Sequence, residues 1–176
     1  MSASSFDPAQ TVRFDVSKGA VSLDGVGRAV LLSEGALESL LAAAGEAASD
    51  VLRALGKSLG AAVRAGLPDD ASPEIAVHHA SGHLGRAGFG TLRAETWGPA
   101  LALGLEGAPS GLTGERAGAL LEGLVSAIVE REVALVSVGG VHLVVSPSER
   151  ASIAARAKDA RGIADVVAFL AEGGAA

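Results

Sequence analysis

Apolar and polar residues alternate near the start of the chain, after a polar lead of residues 1–10 that we predict to be flexible. Val12, Phe14 and Val16 recur with period two, which is typical of a strand. Turn signals and short apolar runs beyond them indicate two more strands. The pattern predicts three N-terminal strands, at residues 11–16, 20–23 and 28–32.

The apolar pattern then changes to a helical period. Ser33 is a suitable N-cap, and the apolar residues after it recur at steps of three and four up to residue 66. This face predicts one long helix, or two helices with a break near Gly45. Ser-Pro-Glu at residues 72–74 is a helix-start signal, and it predicts a second helix that ends near Leu84.

Two hairpins and further helices follow. The first predicted hairpin joins residues 91–96 to 100–105, and the second joins 133–138 to 141–145 through a Gly-Gly turn. A helix capped by Thr113 lies between them. Ser-Pro-Ser-Glu at 146–149 is a capping box that begins a C-terminal helical tail, residues 147–176. This order of elements predicts a single α+β domain with an N-terminal β extension and a C-terminal helix.

Composition excludes several classes of function. The 176 residues fit one domain, and a hydrophobic content of 49% is that of a globular protein. A net charge of -6 with no basic cluster argues against nucleic acid as a partner. We expect no membrane span, because no apolar run reaches the roughly 18 residues required. The absence of cysteine removes disulfides and thiolate chemistry, and it fits a cytoplasmic location.

Three neighbouring histidines are candidate metal ligands. His79 and His83 are four residues apart, a spacing that places two ligands on one helical face, and His78 precedes them. A zinc site needs a third or fourth ligand, and His142 is the one remaining histidine in the sequence. Polar histidines near a helix end are the simpler interpretation, so we expect no metal.

Enzymatic motifs are missing from the sequence. Four glycines, at positions 82, 85, 88 and 90, follow a predicted helix and precede a strand, which is the reverse of a dinucleotide loop. Ser110 lacks the first glycine of a nucleophile elbow. We therefore predict no catalytic residue, no cofactor and no enzymatic activity.

Two glycine-punctuated segments carry a family resemblance. Residues 82–92 read GHLGRAGFGTL, and residues 120–128 read LLEGLVSAI before Arg-Glu-Val leads into the last hairpin. These segments, with the order of elements around them, resemble the 4-vinyl reductase domain family, which is related to small core subunits of the TRAPP vesicle-tethering complex. The resemblance covers residues 33–146, roughly two-thirds of the chain. It implies a twisted antiparallel sheet packed on helices and, in many members, a homodimer.

The resemblance also implies an apolar pocket for a small or acyl ligand, as in several family members. Bacterial members of the family include sensor domains of transcriptional regulators. Some relatives carry an acyl chain or zinc on cysteine, and the absence of cysteine here excludes the first and argues against the second. The same aliphatic side chains would line such a pocket or fill a packed core. These candidate pocket residues are Leu52, Leu55, Leu59, Leu120, Leu124 and Ile128.

Two functions remain open from the sequence. The first is a non-enzymatic homodimeric module that binds a small or acyl apolar ligand in a sensor or regulatory role. The alternative is a TRAPP-like dimeric scaffold or adaptor with a filled core, which partners a small GTPase system. Gly56 and Gly60 allow another backbone to approach, either at a dimer contact or at an internal crossing. The apolar stripe of the C-terminal helix must be buried on the domain or on a protein partner.

Overall fold

The computed structural model describes residues 12–23, 27–160 and 162–171. Within these ranges the chain is a mixed α+β structure with a three-stranded and a four-stranded antiparallel sheet. The predicted flexible lead, residues 1–10, lies outside them. The elements in chain order are β1 Val12–Asp15, β2 Ala20–Leu23, β3 Gly27–Ala29, α1 Glu34–Ala44, α2 Ala48–Gly66, α3 Pro73–Arg86, β4 Thr91–Trp97, β5 Ala100–Glu106, α4 Glu115–Ile128, β6 Ala134–Val138, β7 Val141–Val145, α5 Arg150–Asp159 and α6 Ile163–Ala171.

The three N-terminal strands pair in the order β1-β2-β3. The alternating pattern predicted them, and the prediction is confirmed, although β3 ends at Ala29 instead of residue 32. This small sheet leaves several large apolar side chains in solvent. Phe14 is 63% exposed, and Val30 and Leu31, just beyond β3, are 82% and 65% exposed.

The long helical face is broken, as one of the two interpretations predicted. Gly45 has φ +55°, a left-handed value that glycine adopts without strain, and a short 3-10 turn, Gly45–Ala47, begins with it before α2. Helix α4 begins one residue later than predicted, since Gly114 and not Thr113 is its N-cap.

The four-stranded sheet has the order β4-β5-β7-β6, so β4 and β6 are its edges. Both hairpins were predicted, and both are confirmed. In the second hairpin, Gly139 and Gly140 have φ values of +58° and +84°, as a two-residue type I′ turn requires. Successive side chains of a strand point to opposite faces, so each face of this sheet supports its own core.

Helices α2, α3 and α4 cover one face of the four-stranded sheet, and α5 and α6 cover the other. On the first face, Leu135 of β6 joins a large core with leucines of α2 and α4. On the second face, Val136 and Leu143 pack against Ile153 of α5 and Val166 of α6. Edge strand β6 is therefore flanked by α4 on one face and α5 on the other.

The closest helix crossing is between α2 and α4, and glycines make it possible. A Cβ atom on Gly56 would clash with the carbonyl oxygen of Leu120, and one on Gly60 would clash with that of Leu124. Gly123 of α4 meets the backbone carbonyl of Arg53 in the same way. Small residues let the two backbones approach until their main-chain atoms are in contact. Of the two roles considered for Gly56 and Gly60, the observed one is an internal crossing.

The C-terminal helix lies on its own domain. Val166 is fully buried in the second core, and Ile163 and Leu170 are partly buried beside it. The apolar stripe of α6 thus needs no other protein to cover it. Within the described ranges, none of the helices has the length and apolar character required to cross a bilayer.

Candidate functional site

A buried carboxylate marks the most unusual polar position in the fold. Glu122 lies in the middle of α4, next to the leucines of the core, and is only 6% exposed. Its Oε1 accepts a hydrogen bond of 2.6 Å from Nε of Arg53 on α2, and its Oε2 is 3.2 Å from Nη1 of Arg150 on α5. A buried charge needs such partners, because burial removes its hydration. Glu122 therefore connects three helices at one point.

The two arginines that contact Glu122 differ in their partners and in their exposure to solvent. Arg53 also contacts Asp50 at 2.6 Å, and it is 28% exposed. The hydrogen bond to Glu122 is the main cause that raises the pKa of Arg53 above its ordinary value, so the guanidinium stays charged. Arg150 is 49% exposed. We refer to Arg53, Glu122 and Arg150 as the ion cluster.

Side chains of α4 also cap the free edge of the sheet. The backbone N–H of Leu135 donates to Oε2 of Glu122 at 3.1 Å, and that of Val133 donates to Oγ of Ser126 at 3.2 Å. An unpaired strand edge is a template for another strand, and these side chains satisfy it. At these two positions, the edge of the sheet therefore has no free N–H to pair with a strand of a second chain.

A serine and a histidine form a second polar pair at the same edge. Ser137 of β6 faces His142 of β7 across the hairpin, and Ser137 Oγ shares a hydrogen bond of 2.8 Å with His142 Nδ1. His142 is only 2% exposed, and burial lowers its pKa, so the imidazole is neutral near pH 7. Gly118 of α4 covers the pair, and its missing side chain makes room for it: a Cβ there would lie 3.0 Å from Ser137 Oγ.

The ion cluster and Ser137 line one cleft. This cleft between α4 and α5, at the β6 edge, has a volume of about 460 Å³. Apolar side chains of both helices and of β6 form part of its wall, among them Ala119, Val136 and Ala157. A second cavity of about 430 Å³ lies at the same ion cluster and also contacts Lys57. The ion cluster lines both cavities.

The six aliphatic residues that the sequence nominated for a pocket lie elsewhere. All six are in the core between α2 and α4, none lines either cavity at the ion cluster, and four are nearly or fully buried. The close glycine crossing brings the two helices together at this place. The buried ones are Leu52, Leu59, Leu120 and Leu124, while Leu55 and Ile128 are partly buried.

Gly56 and Gly60 are not at the surface where a dimer contact would need them. Both are buried against α4 of the same chain, at the crossing described above. The predicted dimer contact at these two glycines is therefore corrected to an intrachain contact. The physical reason is that a backbone already occupies the space that the missing side chains leave.

The histidines of α3 were candidate metal ligands in the sequence. His78 and His79 meet edge to face, with ring centroids 6.3 Å apart. Over residues 12–23, 27–160 and 162–171, no three His, Asp or Glu side chains are grouped closely enough to hold a metal ion.

Sequence reasoning missed the ion cluster, although one signal was present. Glu122 is a charge inside an otherwise apolar stretch of the chain, between Leu121 and Gly123. Its partners are distant in sequence, with Arg53 on an earlier helix and Arg150 on a later one, so spacing alone does not connect them.

Neither the models of known protein families nor the curated proteins give a match to this chain. The resemblance to the 4-vinyl reductase domain family therefore remains a prediction.

Proposed function

We propose that this chain is a non-enzymatic, homodimeric binding module, similar to 4-vinyl reductase domains, that holds a small ligand with an apolar body in a sensor or regulatory role. The observation that carries the proposal is the cleft of about 460 Å³ between α4 and α5. Small-molecule sites have volumes of about 300–1,000 Å³, and they combine apolar walls with a few well-held polar groups. The ion cluster and Ser137 are such groups.

The cleft is a better ligand site than the core between α2 and α4. In that core the leucine side chains fill the space next to the glycine crossing, and a ligand would have to separate two backbones in contact. At the cleft, by contrast, the ion cluster and the Ser137 hydroxyl are already held by hydrogen bonds before a ligand arrives. A site of this kind loses little conformational entropy on binding.

Native mass spectrometry of the purified protein, repeated under denaturing conditions, tests the proposal. We expect a dimer that releases a small apolar mass on denaturation. A neutral apolar dye, N-phenyl-1-naphthylamine, provides a second measurement, and its fluorescence should rise on binding. An empty protein that also leaves the dye fluorescence unchanged would contradict ligand binding.

Two tryptophan variants localise the site. Ala157→Trp on α5 places an indole in the cleft, and we expect it to abolish the dye signal. Ala155→Trp changes an exposed residue of the same helix outside the cleft, so it should bind the dye like the unmodified protein. Equal dye binding by the two variants would place the ligand somewhere else. Circular dichroism checks that both variants are folded.

One observation favours the alternative, a dimeric scaffold. The N-terminal sheet and the segment after it expose Phe14, Val30 and Leu31, each by more than half. Large apolar surfaces on a soluble domain are typical of interfaces. An empty dimer in the native spectrum, which dissociates after Phe14→Ser and Leu31→Ser are introduced together, would support the scaffold. A monomer at high micromolar concentration would contradict the homodimer in both proposals.

A further inference from the structure

The edge of β6 carries a repeated arrangement with α4. Ser126 of α4 faces Val133, and Glu122, one turn earlier, faces Leu135. Four residues of helix advance about 6 Å, and two residues of strand advance about 6.7 Å, so the two elements stay in step over a short distance. The next position in this series pairs Gly118 with Ser137, and a Cβ added at Gly118 would lie 3.0 Å from Ser137 Oγ.

The third position differs because glycine has no side chain to act as an acceptor. Leu135 donates its N–H to Glu122, so that N–H points away from β7 toward the free edge. Ser137 lies two residues further along the same strand, and its N–H therefore points in the same direction. Its hydroxyl is already engaged with His142. The backbone N–H of Ser137 is left facing the cleft without an acceptor from α4.

The charge at the cleft favours an anion at this N–H. Three cations line the cleft, Arg53, Arg150 and Lys158, against the two carboxylates Glu115 and Glu122. Arg53 also pairs with Asp50 outside the cleft, so the attraction for an anion rests on Lys158. Glu122 is already matched by both arginines.

Lys158 is the cation that remains available to a ligand. It lies in the last turn of α5 and is exposed, and among the described residues no carboxylate is within salt-bridge distance of it. Arg150 shares Glu122 with Arg53, yet half of its side chain is in solvent. A single negative group at Ser137 would thus meet one backbone donor and at least one free cation.

We propose that the cleft recognises the carboxylate of a small monocarboxylic acid, which accepts a hydrogen bond from the backbone N–H of Ser137 and pairs with Lys158. The apolar body of the acid lies on Val136, Ala154 and Ala157. Hydrogen bonds to charged groups are about twice as strong as neutral ones, so the carboxylate supplies specificity where the apolar wall supplies area. This inference rests on the proposed function and names its class of ligand.

Octanoate and 1-octanol are the probes, since they share an apolar body and differ in charge. We expect isothermal titration calorimetry to show that octanoate binds at least tenfold more tightly than 1-octanol at low salt. Its advantage should shrink as salt rises, because the Debye length falls from about 30 Å at 0.01 M to about 10 Å at 0.1 M. Equal affinity for the two probes would overturn carboxylate recognition and leave the binding module standing. No binding of either probe would also overturn the inference, while the native mass spectrum decides the proposed function separately.

Lysine variants test which cation acts. We expect Lys158→Gln to weaken octanoate binding roughly threefold to tenfold and to leave 1-octanol unchanged. Lys57→Gln is the matched control, because Lys57 lines the second cavity at the ion cluster and not this one. An equal loss in the two variants would overturn the assignment to the cleft.

The amide resonances of β6 give a readout that does not depend on a substitution. In ¹⁵N–¹H spectra, octanoate should shift the amide proton of Ser137 downfield, as expected for a new charged acceptor. The amide of Leu135 is the internal reference, since it is already bonded to Glu122 and should move much less. A Ser137 amide that stays in place while octanoate saturates the protein would overturn the proposed contact.

Discussion

A methyl group added at Gly56 tests the closest contact in the fold. The new Cβ would lie 2.9 Å from the backbone nitrogen of Leu124 and 3.0 Å from the carbonyl carbon of Leu120, and it would be closer still to the carbonyl oxygen of Leu120. Backbone atoms within a helix do not rotate aside as side chains do. Gly56→Ala therefore forces α2 and α4 apart, and the leucines between them lose contact.

The size of this effect follows from two opposing terms. Overpacking a core costs about 1–3 kcal/mol and occasionally more, and rigid backbone neighbours place this site at the upper end. Alanine is favoured over glycine in a helix by about 1 kcal/mol, which offsets part of the loss. We expect a net loss of about 2 kcal/mol in the free energy of unfolding. For a chain of this size, that lowers Tm by roughly 4–8 °C.

Urea denaturation followed by circular dichroism measures the loss, and Gly66→Ala is the matched control. Gly66 is the exposed last residue of the same helix, and a Cβ there meets no atom within 4 Å. The control should therefore unfold at the same or a slightly higher urea concentration. If Gly56→Ala unfolds together with the control, the two helices do not cross as closely as the structure shows, and the packing explanation for Gly56 is wrong.

Three further predictions concern polar positions. Glu122→Gln should lower the free energy of unfolding by about 1–3 kcal/mol in urea melts at low salt, because two arginines lose their shared carboxylate while keeping partial access to water. The free energy of unfolding should fall as pH drops below 6.5, the ordinary pKa of histidine. The reason is that burial lowers the pKa of His142, so the unfolded chain takes up the proton first. His142→Gln should reduce this dependence of stability on pH, measured by urea melts from pH 7 to 5. Ser72→Ala should cost about 1 kcal/mol by the same assay, because the Ser72 hydroxyl caps the N–H of Ile75 at 3.4 Å.

Control variants distinguish these specific effects from a non-specific loss of stability. His78→Gln replaces an exposed histidine and should leave the pH slope as it is in the unmodified protein. A slope that persists in His142→Gln would mean that other groups control the acid response. Thr91→Ala, at an exposed residue outside any helix cap, is the control for Ser72, and equal losses in the two would argue against the capping role. For Glu122, a melt unchanged by the substitution would mean that the ion cluster adds no net stability.

The alternation and spacing of apolar residues were sufficient for most of the secondary structure. A period-two run predicted β1, apolar β-branched runs on either side of Gly-Gly predicted β6 and β7, and the three-and-four step predicted α2 and α4. Turn positions followed from single residues, as at Gly139 and Gly140, because few other residues adopt their positive φ values. These are local properties of the chain, so they can be predicted without knowledge of the tertiary contacts.

Only the tertiary structure decided how the elements use their surfaces. The sequence offered Gly56 and Gly60 as either an external or an internal contact, and it offered the leucines near them as either a pocket or a core. The crossing of α2 with α4 resolved both, because one backbone fills the space in question. The ion cluster joins residues up to 97 positions apart, Arg53 and Arg150. Such a meeting depends on how helices and sheet pack, which local pattern does not encode.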